Sequence, residues 1–309
     1  MSRLRQSGTA ILFLVAVLLS YSGPAEGGQN AKTFPSTLND TGSKWQTLEE
    51  FGEESNEEMR MVGSVVAQRN QYPYMVSLGL ERNGRVYKSC GGSLISMNEI
   101  LTAAHCVTEK GFTKLKDPEN WIVLLGAHEL SGRRNDAQLS IKVVKIKIHE
   151  KYNPNNYFND IAILMLGHHV KFTESISPVC LPPDGSADSY DGREVYAKGW
   201  GHTQEKGTAS DFLRHVTKIV VPTETCRRVF KSFEYQDHMM CAYEPGKGTC
   251  QGDSGGPLVV KSTGPKCKYE QVGIVSWGIG CARSGYPGVF MRVTSFLPWI
   301  KMNRLNTQW

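Results

Sequence analysis

From Met61 to the C-terminus the chain alternates apolar and polar residues in short runs, most clearly in Ile141-Lys-Val-Val-Lys-Ile-Lys-Ile148. A period of two is the spacing of a strand that buries one face. Turn signals recur between the runs: Asn83-Gly84, Asn153-Pro154, Pro183-Asp-Gly185 and Pro245-Gly246. Helical periodicity is scarce. The stretch from Ser295 to about Asn303, with Pro298 near its start, is expected to form a terminal helix. Many short strands with glycine-rich turns predict an all-β barrel or sandwich. The pattern does not choose between those two, and it shows no internal repeat.

The first 60 residues read differently. Arg3 and Arg5 precede an apolar run from Ala10 to Leu19, followed by small residues and Pro24. The run is too short for a bilayer, which takes about 20 residues. It fits a signal peptide over residues 1–27, with Ala25-x-Gly27 as a cleavage site and Ser20-x-Ser22 close behind it. Residues 28–60 are polar and cysteine-free, and 3 basic against 7 acidic residues give them a charge of −4. Such a segment builds no core of its own. It reads either as a solvated linker or as a propeptide over a cleavage site. The sequon Asn39-Asp-Thr41 falls within it, which makes Asn39 a candidate glycosylation site.

Composition narrows the function classes. At 40% hydrophobic and 21% charged residues the 309-residue chain has ordinary globular composition. A net charge of +5 without a lysine-arginine block excludes a nucleic-acid patch. Eight cysteines, an even count, point to disulfides in an oxidising compartment. The two nearest in sequence, Cys241 and Cys250, are too far apart for a zinc knuckle. No metal or cofactor is expected. No later stretch is apolar enough to serve as a membrane anchor, so a secreted, extracellular product is expected.

Amide hydrolysis by a serine needs a base for the hydroxyl proton, a group that orients the base, and N–H donors for the oxyanion. Three contexts offer these parts. Thr102-Ala-Ala-His-Cys106 sets His105 after an apolar run. Asn159-Asp-Ile-Ala-Ile-Leu164 sets Asp160 at the start of a buried strand. Gly252-Asp-Ser-Gly-Gly-Pro257 sets Ser254 in a loop of small residues, where a side chain at position 252 would obstruct an oxyanion.

These three motifs, in this order, resemble the chymotrypsin-like family of secreted serine endopeptidases over about four fifths of the chain. The resemblance implies a peptidase domain over residues 61–309, built as two six-stranded antiparallel β-barrels with a C-terminal helix and the active site between them. It makes Ser254 the nucleophile, His105 the general base and acid, Asp160 the orienting group, and Gly252 and Ser254 the oxyanion hole. Ser276-Trp277-Gly278 resembles the strand that pairs with substrate. Arg60 before Met61-Val-Gly-Ser64 resembles the family's activation cut, usually Arg before Ile-Val-Gly-Gly. That cut would free the Met61 amino group to pair with Asp253 and would make residues 28–60 a propeptide. It also implies Cys90–Cys106, Cys226–Cys241 and Cys250–Cys281. Ala67 and Val195 stand where many relatives have cysteine. Cys180 and Cys267 are left over and are expected to pair. The loop Gly126–Asp136, where relatives bind calcium, carries two arginines and is not expected to need the ion.

Relatives that cut after Lys or Arg place an aspartate where this chain has Gly248, next to Thr249. Gly278 and Gly288 stand at the pocket walls. An open, uncharged pocket is expected, with a chymotrypsin-like preference for a large apolar P1 residue. An elastase-like preference and a catalytically silent binding protein are the alternatives. The implied partners are protein or peptide substrates, an Arg-specific activating peptidase and protein inhibitors of peptidases. The chain is expected to act as a monomer.

Overall fold

The computed structural model describes residues 63–83, 85–131 and 134–304. The expected signal peptide, the acidic leader, Asn39 and the Arg60–Met61 bond lie outside the described residues. The first half supplies β1 (Val65–Val66), β2 (Met75–Arg82), β3 (Arg85–Leu94), β4 (Glu99–Thr102), β5 (Trp121–Leu125), β6 (Leu130–Ser131), β7 (Arg134–Asn135), β8 (Leu139–Ile148) and β9 (Ala162–Leu166). The second half supplies β10 (Glu194–Gly199), β11 (Arg214–Val221), β12 (Met239–Tyr243), β13 (Pro257–Lys261), β14 (Tyr269–Trp277) and β15 (Gly288–Arg292). The helices are α1 (Ala104–Val107), α2 (Thr223–Val229) and α3 (Val293–Asn303).

The strands form two closed six-stranded antiparallel barrels. The first runs β2-β3-β4-β9-β8-β5. The second runs β11-β10-β13-β14-β15-β12 and closes by pairing β11 with β12, while β1 extends the edge of β11. Closure pairs every barrel strand on both sides, which removes the open edges a flat sheet of these strands would have. β8 shows the alternation read from the sequence: Ile141, Val143 and Ile146 are buried. The phase slips at a bulge between Val143 and Lys145, and this turns Val144 out to solvent.

The terminal helix begins at Val293, two residues earlier than expected, so Pro298 lies in its interior. Burial of Val293, Phe296, Leu297 and Ile300 offsets the hydrogen bond that Pro298 cannot make. The Trp299 indole donates to Glu150, just after β8. In the Gly126–Asp136 loop the Asp136 carboxylate accepts the N–H groups of His128 and Glu129 and pairs with Arg69 at 2.7 Å. The positions that lack cysteine, Ala67 and Val195, are filled by buried apolar side chains.

Polar contacts tie the barrels together. Ser93 Oγ on β3 donates to Gln271 Oε1 on β14 at 2.6 Å, with both residues fully buried. The Gly91 N–H donates to the Ser254 carbonyl. Disulfides join Cys90–Cys106, Cys180–Cys267, Cys226–Cys241 and Cys250–Cys281. Thiol titration in denaturant is therefore expected to find no free thiol before reduction and eight after it. Two thiols before reduction would undo the Cys180–Cys267 bridge.

Candidate active site

His105 lies on the single turn of α1, locked by the Cys90–Cys106 bridge next to it. Asp160 ends the loop before β9 and is fully buried. Three donors converge on its carboxylate. The His105 N–H donates to Oδ1 at 2.8 Å, the imidazole Nδ1 lies 2.7 Å from Oδ2, and Ser276 Oγ donates to Oδ2 at 2.5 Å. An anion this deep is tolerable only with its lone pairs occupied. Burial alone would lower the His105 pKa, but the charge and hydrogen bond of Asp160 outweigh it, and the value is raised above the ordinary 6.5. The ring of Tyr157 meets the imidazole edge-on at 5.6 Å.

Ser254 comes from the opposite barrel. Its loop is pinned by Gly255 N–H to Val275 O and Val275 N–H to Gly256 O, and its carbonyl by the Gly91 N–H. Val275 precedes Ser276, so one strand positions the serine loop and also reaches the Asp160 carboxylate. Ser254 Oγ has no hydrogen-bond partner among the described residues, and neither have the N–H groups of Gly252 and Ser254. Gly252 has φ +95°, a conformation that disfavours any side chain.

Asp253 points away from this cleft into the second barrel, fully buried. Its carboxylate accepts the N–H groups of Gly201 and Cys250, both at 2.9 Å. A Cβ on Gly201 would lie 2.5 Å from its Cγ, so glycine is required there. Burial pushes its pKa up to about 7 against the opposing pull of those two donors. No cation pairs with it among the described residues.

A cavity of about 150 Å³ opens beside Ser254. Gly248, Thr249, Ser276, Trp277, Gly278 and Gly288 all line it. Trp277 packs edge-on against Phe230 at 5.0 Å. A Cβ at Gly248 would stand 2.6 Å from the Ala282 nitrogen, so even a small side chain there would collide with backbone. The expectation of an uncharged pocket is corrected by Lys218, which lines the same cavity from β11. Its side chain is buried and its Nζ donates to the Lys247 carbonyl at 2.9 Å. Lys218 lies far from the serine motif in sequence, on a strand that carries none of the three motifs. A signal was present: in Arg214–Val221 the inward phase is Val216, Lys218 and Val220, and a lysine on a buried phase calls for an explanation.

Three potential ligand atoms, from Cys90, His105 and Cys106, lie close together, but the disulfide consumes both sulfurs and leaves no metal site.

Residues 61–300 match the family model described as Trypsin. Trypsin-1 of Astacus astacus is 36% identical over 245 residues, spanning 79% of this chain and 99% of its own length. The proclotting enzyme of Tachypleus tridentatus is 36% identical and serine protease snk of Drosophila melanogaster 35%, each over 78% of this chain. The matched part covers 65% and 56% of those two proteins.

Asp160→Asn removes the charge that holds the imidazole proton. The His105 pKa is expected to fall, because burial then acts without the opposing charge, as read by NMR titration of the ring. An unchanged value would show that Asp160 does not set it.

Proposed function

The chain belongs to the trypsin family and is a serine endopeptidase, and on that premise we propose that it is a secreted zymogen whose hydrolysis of protein substrates runs through Ser254, His105 and Asp160. The observation that carries this reading is the buried Asp160 carboxylate, which accepts from the His105 backbone N–H, from the imidazole Nδ1, and from Ser276 of the strand that holds the serine loop.

Neutral His105 takes the Ser254 hydroxyl proton as Oγ attacks the scissile carbonyl, and later returns it to the leaving amine. Asp160 keeps the Nδ1 proton in place, so that Nε2 is the free base, and stabilises the imidazolium that forms. The unspent N–H groups of Gly252 and Ser254 take the oxyanion. Hydrogen bonds of this kind are often open until substrate arrives, which accommodates the free Ser254 Oγ. The chemistry needs no metal or cofactor.

For the zymogen, cleavage after Arg60 would free the Met61 amino group to neutralise Asp253. A buried carboxylate with two N–H donors and no cation is the state such an amine would relieve. The acidic leader, with Asn39 as a glycosylation site, would shield that bond until an Arg-specific peptidase cuts it. A relative with "proclotting" in its name supports a proenzyme. Four disulfides support an extracellular location, and among the described residues no helix is long and apolar enough to cross a membrane. We take the unit to act as a monomer, open to protein inhibitors that enter the cleft as substrates do.

The P1 residue is proposed to be large and not cationic. Gly278 and Gly288 leave the cavity wide, which disfavours the elastase-like alternative, because a small side chain would leave the space unfilled. Lys218 in the lining repels Lys and Arg.

Two outcomes test the function. Arg60→Gln is expected to leave a folded chain with at most a trace of peptidase activity, and Ser254 labelling by a fluorophosphonate should rise only after cleavage in the natural sequence; full activity in Arg60→Gln would sink the zymogen model. The second outcome concerns pH. With its folded pKa raised, Asp253 binds its proton more tightly in the folded than in the unfolded chain. Its contribution is therefore full below the ordinary 3.8 and is lost as pH rises to about 7. The melting temperature of the uncut chain should decline across that window relative to the cleaved form, where the amine holds the carboxylate ionised. Parallel curves for the two forms would show that Asp253 gains no partner on cleavage.

A further inference from the structure

The lining of the cavity beside Ser254 includes a buried cation that the triad does not use. Lys218 is 2% exposed, and its neighbours on the inward face of β11 are Val216 and Val220. An ammonium has three protons to donate. Lys218 spends one, on the Lys247 carbonyl, and has no other hydrogen-bond partner and no ion pair among the described residues. Glu244 is the carboxylate whose charge reaches it, from beyond ion-pairing distance. Lys247 lines the same cavity, and a Cβ built on Gly63 would lie 2.6 Å from its Cγ.

A buried lysine without a counter-ion is costly, and apolar residues of the same volume would fill a barrel more favourably. The cost is balanced if something brings an anion to it. Lys218 lines the cavity that also holds Ser254, so the visitor is the substrate side chain on the acyl side of the scissile bond. We propose that Lys218 makes this pocket a receptor for a carboxylate, so that the enzyme cleaves after acidic residues. This rests on the endopeptidase reading and deepens it. It replaces the large apolar P1 residue with one of similar reach that ends in an anion.

Three features agree with this assignment. Burial lowers the Lys218 pKa, Glu244 restores part of the loss, and the result is about 8, so the cation persists at neutral pH. The cavity is comparable to those that hold a benzene-sized guest, enough for the stem of a glutamate. The Gly248 position, where a carboxylate would serve a cationic P1 residue, is closed by the Ala282 backbone.

The test uses the full chain cleaved after Arg60, with active sites counted by fluorophosphonate, and amide substrates that differ only at P1: Glu, Asp, Gln, Leu, Phe and Lys. An acidic P1 residue is expected to give the highest kcat/KM, with Glu exceeding Gln by roughly 10- to 100-fold, the worth of one charge-assisted hydrogen bond, and Lys the lowest. Lys218→Met should bring the Glu-to-Gln ratio near unity per active site, and Lys218→Arg should keep it. The inference is overturned if Leu or Phe is best in the natural sequence, if Gln equals Glu, or if Lys218→Met leaves the ratio unchanged. Should Lys218→Met fail to fold, the natural enzyme's profile decides alone. An enzyme that is neither labelled nor active on any of the six would instead overturn the endopeptidase reading beneath it.

Discussion

The Asp160 carboxylate is the hub on which the rest of the site depends. It is fully buried, and its donors come from both barrels: two from His105 on the first and one from Ser276 on the second. Removing any donor would leave part of an anion unsatisfied in a low-dielectric interior, so the carboxylate fixes the relative placement of α1 and β14 as well as the imidazole. The serine loop is hydrogen-bonded to Val275, one residue from Ser276. One buried charge therefore sets the geometry of all three groups.

A second buried carboxylate lies one residue from the nucleophile and is treated differently. Asp253 has two N–H donors and, among the described residues, no cation. Burial without full compensation is what raises its pKa. Asp160 is built to be permanently satisfied, while Asp253 is held short of that. Gly201 makes room for the Asp253 carboxylate, and Gly252 holds the backbone at φ +95°, where a side chain is disfavoured.

The specificity cavity shows how a barrel couples distant parts of a chain. Gly248, Gly278 and Gly288 flank it, all within a short stretch around the serine motif. A buried lysine enters from β11, a strand that pairs with β10 and β12 and contributes no motif of its own. Its ammonium meets the carbonyl of Lys247, next to Gly248, so the loop that shapes the cavity floor is itself tied to that cation.

The sequence by itself determined the parts whose chemistry is local. The alternating runs marked strands, because a period of two follows from the backbone. The three motifs marked His105, Asp160 and Ser254 and the family they resemble, and the missing cysteines at Ala67 and Val195 were visible as substitutions. The structure supplied what depends on distance across the fold. Periodicity could not separate a barrel from a sandwich, since both bury alternate residues; closure of β2 on β5 and of β11 on β12 decided it. The start of α3 at Val293 depended on burial against the barrel and not on the position of Pro298. The Ser276–Asp160 contact spans 116 residues of chain, and Lys218 reaches a pocket whose other residues lie 29 or more positions away. A burial pattern can show that a lysine faces inward. Only the packed barrel shows which cavity it lines, because that depends on which strands become neighbours when the sheet closes.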